Sequence, residues 1–204
     1  MISGWILPLL LLMGQVQQPA SDIARLRELL ADKKQPQLQA QAAYLILQQQ
    51  TTLATETVKQ YLRDPRNVEV FTAFAGAIKL RRDGRFSEEL IEALSIELPA
   101  VRLAAAEALG ASVDGKAAFK LKQIAENNRS EDNIRQQAII ALGKTGKKNA
   151  AETLLKLFID PKESIRQTSR QALAELIGED LGRDSVTWQL WFDERKNLSS
   201  EAWL

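Results

Sequence analysis

The stretch GKTGKK at 143–148 is the part of this sequence closest to a phosphate-binding loop. Such a loop cradles phosphate on backbone N–H groups, with Lys and a Thr or Ser hydroxyl completing the site. It needs a second glycine five residues before the one that opens GKT, and that position is Ala138. It also needs a preceding strand, whereas the apolar spacing of IRQQAIIALG (134–143) is helical. Adjacent carboxylates occur as Glu88-Glu89 and Glu131-Asp132. Neighbours in sequence point in different directions from a helix, so neither pair can flank a scissile glycosidic bond. The 204 residues contain no His and no Cys. The commonest general base, the thiolate nucleophile and the usual nitrogen and sulfur metal ligands are thereby removed. The sequence predicts a protein that is not an enzyme, with no catalytic, cofactor-binding or metal-ligating residues.

What remains is charge and aromatic surface. Lys and Arg number 27 against 26 acidic residues, a net charge of +1 that gives no reason to expect nucleic acid. The cations are nonetheless clustered, in KLRRDGR (79–85), at Lys116 and in GKTGKK, while Glu97, Glu126, Glu131, Asp132, Asp160 and Glu163 occupy other turns. Lys79, Arg81, Arg82, Arg85, Lys116, Lys144, Lys147 and Lys148 form a candidate partner-binding edge. The competing reading is complementarity to helix dipoles, acidic residues at the starts and basic ones at the ends. Trp188, Trp191 and Trp203 form a candidate aromatic surface, against which stands a terminal cap that seals a core.

These residues need elements to hold them, and the elements repeat. VRLAAAEALG begins at Val101, IRQQAIIALG at Ile134 and IRQTSRQALA at Ile165. Each has a β-branched opener followed by Arg102, Arg135 or Arg166. A small residue follows at Ala105, Ala138 or Ser169, and the pair Ala-Leu closes the pattern. Weaker copies begin at Leu38 and Val70, with Gln39 and Phe71 in the Arg slot. Motif positions 0, 4, 7 and 8 share one helical face. That face places Ile134 in the core between repeats, where an Asp costs several kcal/mol, and leaves Arg135 the more replaceable of the two.

Amphipathic companion helices are expected at 53–62, 86–94, 117–125 and 150–158, with a cap helix at 21–32. Gly110, Gly143 and Gly146 are placed as left-handed caps, and Asp160-Pro161 as the start of the last motif helix. Self-similarity at this period is the signature of stacked helical units that cannot bury their apolar faces singly.

VRLAAAEALG, IRQQAIIALG and DPKESIRQTSRQALAEL resemble the bacterial HEAT-like repeat family, including the short repeats named after phycobilisome lyases. The resemblance implies an all-α fold, a right-handed α-α superhelix of about five helix pairs with terminal caps. The ending G-x-D-x-G-x-D, from Gly178 to Asp184, followed by Trp188 and Trp191, is similar to endings seen after HEAT-like arrays in some envelope-rich bacteria.

Residues 1–20 carry no charged side chain and contain the apolar block Ile6 to Met13, too short for a stable transmembrane span and of the length of a secretory signal. The expected organisation is a signal peptide or hydrophobic segment at 1–20, a solenoid at 21–177 and a Trp-rich capping helix at 178–204. The expected function is a non-enzymatic protein–protein interaction scaffold of the cell envelope, exported, with protein partners, no cofactor, and a groove lined by the companion helices. Two other readings stay open: a bilin lyase or lyase chaperone, and a nucleic-acid-binding array.

Overall fold

Prolines and short polar side chains set where the helices begin. Pro36 and Pro99 lie in the first turns of their helices, where a missing N–H costs nothing. Thr51, Asn67 and Asp184 accept hydrogen bonds from backbone N–H groups of the first turn that follows them. The computed structural model describes residues 19–112, 115–199 and 202–203. The expected signal segment lies outside them, apart from Pro19 and Ala20, which open the first helix.

The described residues form α1 (Pro19–Ala31), α2 (Pro36–Gln48), α3 (Thr52–Arg63), α4 (Val68–Arg81), a 3₁₀ turn (Gly84–Phe86), α5 (Ser87–Ala93), α6 (Pro99–Ala111), α7 (Gly115–Glu126), α8 (Asp132–Lys144), α9 (Lys148–Leu157), α10 (Glu163–Ile177) and α11 (Ser185–Arg195). No strand occurs among them. The motif helices α2, α4, α6, α8 and α10 start at 36, 68, 99, 132 and 163, two residues before each motif opener. They pack against one another along their length and form one row. Helices α1, α3, α5, α7, α9 and α11 form the other row and touch their row neighbours more sparingly. The closer spacing lies on the motif side, so the stack curves toward the motif helices. The companions form the more widely spaced row, and clefts open between them, as between α7 and α9 beside Ala118, Phe119, Asn149 and Thr153.

The core lies between the rows. Motif positions 4 and 8 are buried in every motif helix: Ala42, Phe74, Ala105, Ala138 and Ser169, then Ile46, Ile78, Leu109, Leu142 and Leu173. The opener departs from expectation in the first and fourth motif helices: Leu38 is half-exposed beside the buried Gln39. Ile134 is half-exposed and its neighbour Arg135 is only 1% exposed. Arg135 donates from Nε to the Ala125 carbonyl at 2.9 Å and from Nη2 to Asp160 at 2.6 Å.

The other motif-position-1 polar residues behave alike. Gln39 donates to the Leu30 carbonyl, Arg102 to that of Ile96 and Arg166 to those of Asp160 and Pro161. Each of these carbonyls lies at the end of a companion helix or in the turn after it, where helical partners run out. The motif arginine thus caps the preceding companion helix, and Gln39 performs the same task with an amide.

Two glycines also correct the sequence reading. Gly110 and Gly143 lie inside α6 and α8 rather than at left-handed caps. A Cβ on Gly143 would stand 2.8 Å from the Ala172 carbonyl oxygen and 2.9 Å from the Ala172 Cβ, and one on Gly110 would collide with the Lys144 side chain. They are points where one motif helix touches the next. Gly146, at φ 63°, is left-handed as expected. Asp160 does not cap α10, whose N-cap residue is Lys162. Its carboxylate is taken by Arg135 and by the Lys162 N–H.

Candidate interaction surface

The solvent side of the motif row is set by the motif positions that the core does not use. Between α2 and α4 this side opens into a groove of about 450 Å³, lined by Tyr44 and Leu45 from α2 and by Ala73, Gly76 and Leu80 from α4, among others. The lining is almost wholly apolar, and Leu80 is 75% exposed. Leu103 on α6, 50% exposed, stands on the same side of the next motif helix. Farther along, the face becomes polar at Gln136, which donates to Thr168 Oγ1 across the α8–α10 contact. One apolar end and one polar end therefore share a continuous surface.

Gly76 forms part of the groove wall in the interior of a fourteen-residue helix. No atom lies within 4 Å of where its Cβ would be. Glycine in a helix interior is about 0.8–1.0 kcal/mol less favourable than alanine, and here no neighbour demands it. At the C-terminal end of the same helix Arg82 adopts φ 52° and ψ 42°, a left-handed conformation that glycine fills at lower cost.

The candidate basic edge divides on inspection. Its members occupy the motif-to-companion turns of successive pairs, and the row topology puts those turns along one edge. Several are engaged within the protein. Lys79 pairs with Glu107 at 2.9 Å, Lys144 with Glu175 at 2.6 Å and Arg85 with Asp83 at 2.6 Å. Lys148 donates to the Leu198 carbonyl. Lys116 and Lys147 also have interactions of their own. Arg81 lies over the Tyr44 ring, 5.5 Å from its centroid, with Nη1 3.5 Å from the hydroxyl. The guanidinium of Arg82 meets no described partner. Arg82 is thus the member of the edge with no described partner, and Arg81, stacked on the groove-lining Tyr44, lends its charge to Asp83.

The carboxylates are perturbed as paired ions are. Burial pushes the Asp83 carboxyl up, but hydrogen bonds and charge from Arg85, with the charge of Arg81, bring it below its ordinary value. Burial acts likewise on Asp160, and bonds from Arg135 and from the Lys162 N–H outweigh it, again lowering the pKa. Among the described residues no three acidic, His or Cys side chains come together in a way that could hold a metal ion.

The aromatic surface expected at the C-terminus is not a surface. Trp188 is fully buried and Trp203 is 1% exposed. Trp188 donates from its indole N–H to the Gly182 carbonyl at 2.8 Å and packs against Phe158, with ring centroids 6.1 Å apart. The half-buried Trp191 meets Trp203 edge-on at 6.0 Å and carries Arg195 over its ring. These rings close the end of the core.

The G-x-D-x-G-x-D ending supplies the backbone for this seal. Gly178 and Gly182 are left-handed, Asp180 accepts from the Gly182 N–H, and Asp184 caps α11. Sequence reasoning missed the groove between α2 and α4. Its one legible signal was Gly76 in the middle of VFTAFAGAIK.

No helix among the described residues is long and apolar enough to cross a membrane. No curated protein matches the chain. Residues 87–174, from α5 through most of α10, match the family model for HEAT repeats. The two helical rows continue on both sides of that segment, and the described residues form an all-helical stack of the α-α solenoid kind.

Proposed function

We propose that this protein is a non-enzymatic scaffold of the cell envelope that holds a protein partner on the solvent side of its motif helices. HEAT repeats are commonly protein-interaction scaffolds. The observation that carries the reading here is the apolar groove between α2 and α4, open to solvent and bordered by Leu80 at 75% exposure. A large apolar side chain held in water beside an open cleft is typical of a surface that a partner covers. Absence of His and Cys from the sequence, and pKa shifts of the kind that ordinary ion pairs produce, support binding in place of chemistry. The envelope assignment rests on the uncharged start of the chain and its apolar block, Ile6 to Met13.

The test is cross-linking in the native cells, followed by mass spectrometry, with the N-terminus of the protein sequenced from each cell fraction. The expected result is a reproducible protein adduct and a mature N-terminus between Gln15 and Ser21 outside the cytoplasm. Intact Met1 in a soluble cytoplasmic pool contradicts export, and no adduct under conditions that capture a known complex contradicts the scaffold.

A further inference from the structure

We infer that the groove between α2 and α4 receives a short apolar peptide segment of a partner protein, with one or two carboxylates at the end facing Arg81 and Arg82. The inference rests on the scaffold reading and specifies its partner.

Two local choices in this part of the chain run against the stability of the helix that carries them. Gly76 sits where alanine would be better, since a Cβ there meets nothing within 4 Å. Arg82 sits where glycine would be better, since its φ is 52°. Both border the same groove, Gly76 as part of its lining and Arg82 just beyond Leu80. Locally unfavourable choices that serve no internal contact point to what lies outside the fold. Gly76 lets another chain approach the backbone of α4 closely. Arg82 is exposed at the end of the same helix, next to Arg81, whose guanidinium lies over the groove-lining Tyr44.

The dimensions and charges specify the occupant. From Thr72 to Leu80 the groove follows eight residues of helix, about 12 Å at ~1.5 Å per residue. About four extended residues cover that length at ~3.3 Å each. The apolar lining suits aliphatic side chains. At the far end Arg81 is held over Tyr44 without a hydrogen-bonded carboxylate, and Arg82 has no described partner. Lys79 and Arg81 both lie in the last turn of α4, where Lys79 pairs with Glu107. A carboxylate is a group that a guanidinium selects, and Arg81 stands against the groove-lining Tyr44.

The test uses the full chain and fluorescein-labelled six-residue peptides as probes: Leu-Ala-Leu-Leu-Asp-Asp, the same residues in reverse order, and counterparts with Lys-Lys in place of Asp-Asp. Binding is read by polarisation and stability by thermal melting. At least one acidic peptide should bind at least tenfold tighter than its Lys counterpart. Gly76→Leu should reduce that binding at least tenfold and Arg82→Gly about fivefold. Each variant should melt about 2 °C or more above the parent, the scale of a modest stabilisation in a chain of this size. Binding lost together with a lower melting temperature would show that the two residues serve the fold, and would overturn the inference. So would equal binding of acidic and basic peptides, or binding that neither variant changes. Self-association of the chain that Gly76→Leu abolishes would assign the groove to a second copy and overturn it as well. Native adducts that persist in both variants, with no peptide bound, would remove this occupant and leave the scaffold standing. Absence of native adducts removes the scaffold itself.

Discussion

Arg135 shows how a single residue can be misjudged from its type. Placed one position after the β-branched opener Ile134, it reads as the more replaceable of the two. In the fold it is 1% exposed and bridges the end of α7 to Asp160. Removing one member of a buried, hydrogen-bonded ion pair costs about 3–5 kcal/mol, because the other charge stays buried without a partner. Arg135→Ala should therefore destabilise the protein more than Ile134→Asp, measured as midpoints of denaturant unfolding; the opposite order would place Ile134 in the core after all.

Asp160 supplies a pH signature. Its pKa is lowered in the folded state from an ordinary 3.8, so the stability it contributes is fully present above that value and is lost as pH falls through the lower, folded value. The melting-temperature gap between the parent and Asp160→Asn should be widest near neutral pH and should narrow as pH falls below 3.8. A gap that is constant with pH would mean that the carboxylate's charge is not what the site uses. That Arg recurs one position after the opener was legible from the repeat. Which of the two residues at 134 and 135 is buried was not, because it depends on the turn after α9 delivering Asp160.

At the scale of the element, helices and their order were legible and their contacts less so. The motif period locates every motif helix, because positions 4 and 8 fall on one face and are filled by small and aliphatic residues throughout. The glycines mark the limit of that reading. Sequence alone treats a glycine near a helix end as a stop signal, yet Gly143 is there to let Ala172 approach. Substitution by alanine separates the roles. At Gly76, with open space around the Cβ, alanine should stabilise by about 0.5–1 kcal/mol. At Gly143 the new Cβ would meet backbone atoms of α10, so alanine should destabilise by about 1–3 kcal/mol despite its helix propensity. Unfolding midpoints of the two variants are the check, and changes of the same sign would contradict the close approach. The C-terminal aromatics taught the same lesson in reverse. Their spacing announced a helix face, but only the turn at Gly182 decides that Trp188 faces inward.

At the scale of the whole molecule, ion pairs recur from unit to unit. Arg63 reaches Glu89, Lys79 reaches Glu107, Lys120 reaches Glu88, Lys156 reaches Glu126 and Lys144 reaches Glu175. Each joins one helix to the next in the same row. Apart from Arg63–Glu89, whose carboxylate is buried, these are exposed pairs that contribute roughly 0.2–1 kcal/mol each, so their larger effect is on the surface. Two of them, at Lys79 and Lys144, neutralise cations of the basic edge, and the α2–α4 groove with Arg81 beside it is the distinctive region. Sequence could count the cations but not see which of them found partners some thirty residues away.

The central claim is that the protein acts by holding a partner on its motif face. Two exposed apolar residues on opposite rows test it, because exposure does not separate them: Leu80 on α4 is 75% exposed and Phe119 on α7 is 61% exposed. A photo-activatable phenylalanine analogue placed at each site in turn, in the full chain expressed in its native cells, would report which row meets the partner. A discrete protein adduct from position 80 and none from position 119 is the expected result. An adduct from position 119 alone, or equal adducts from both, would contradict the account.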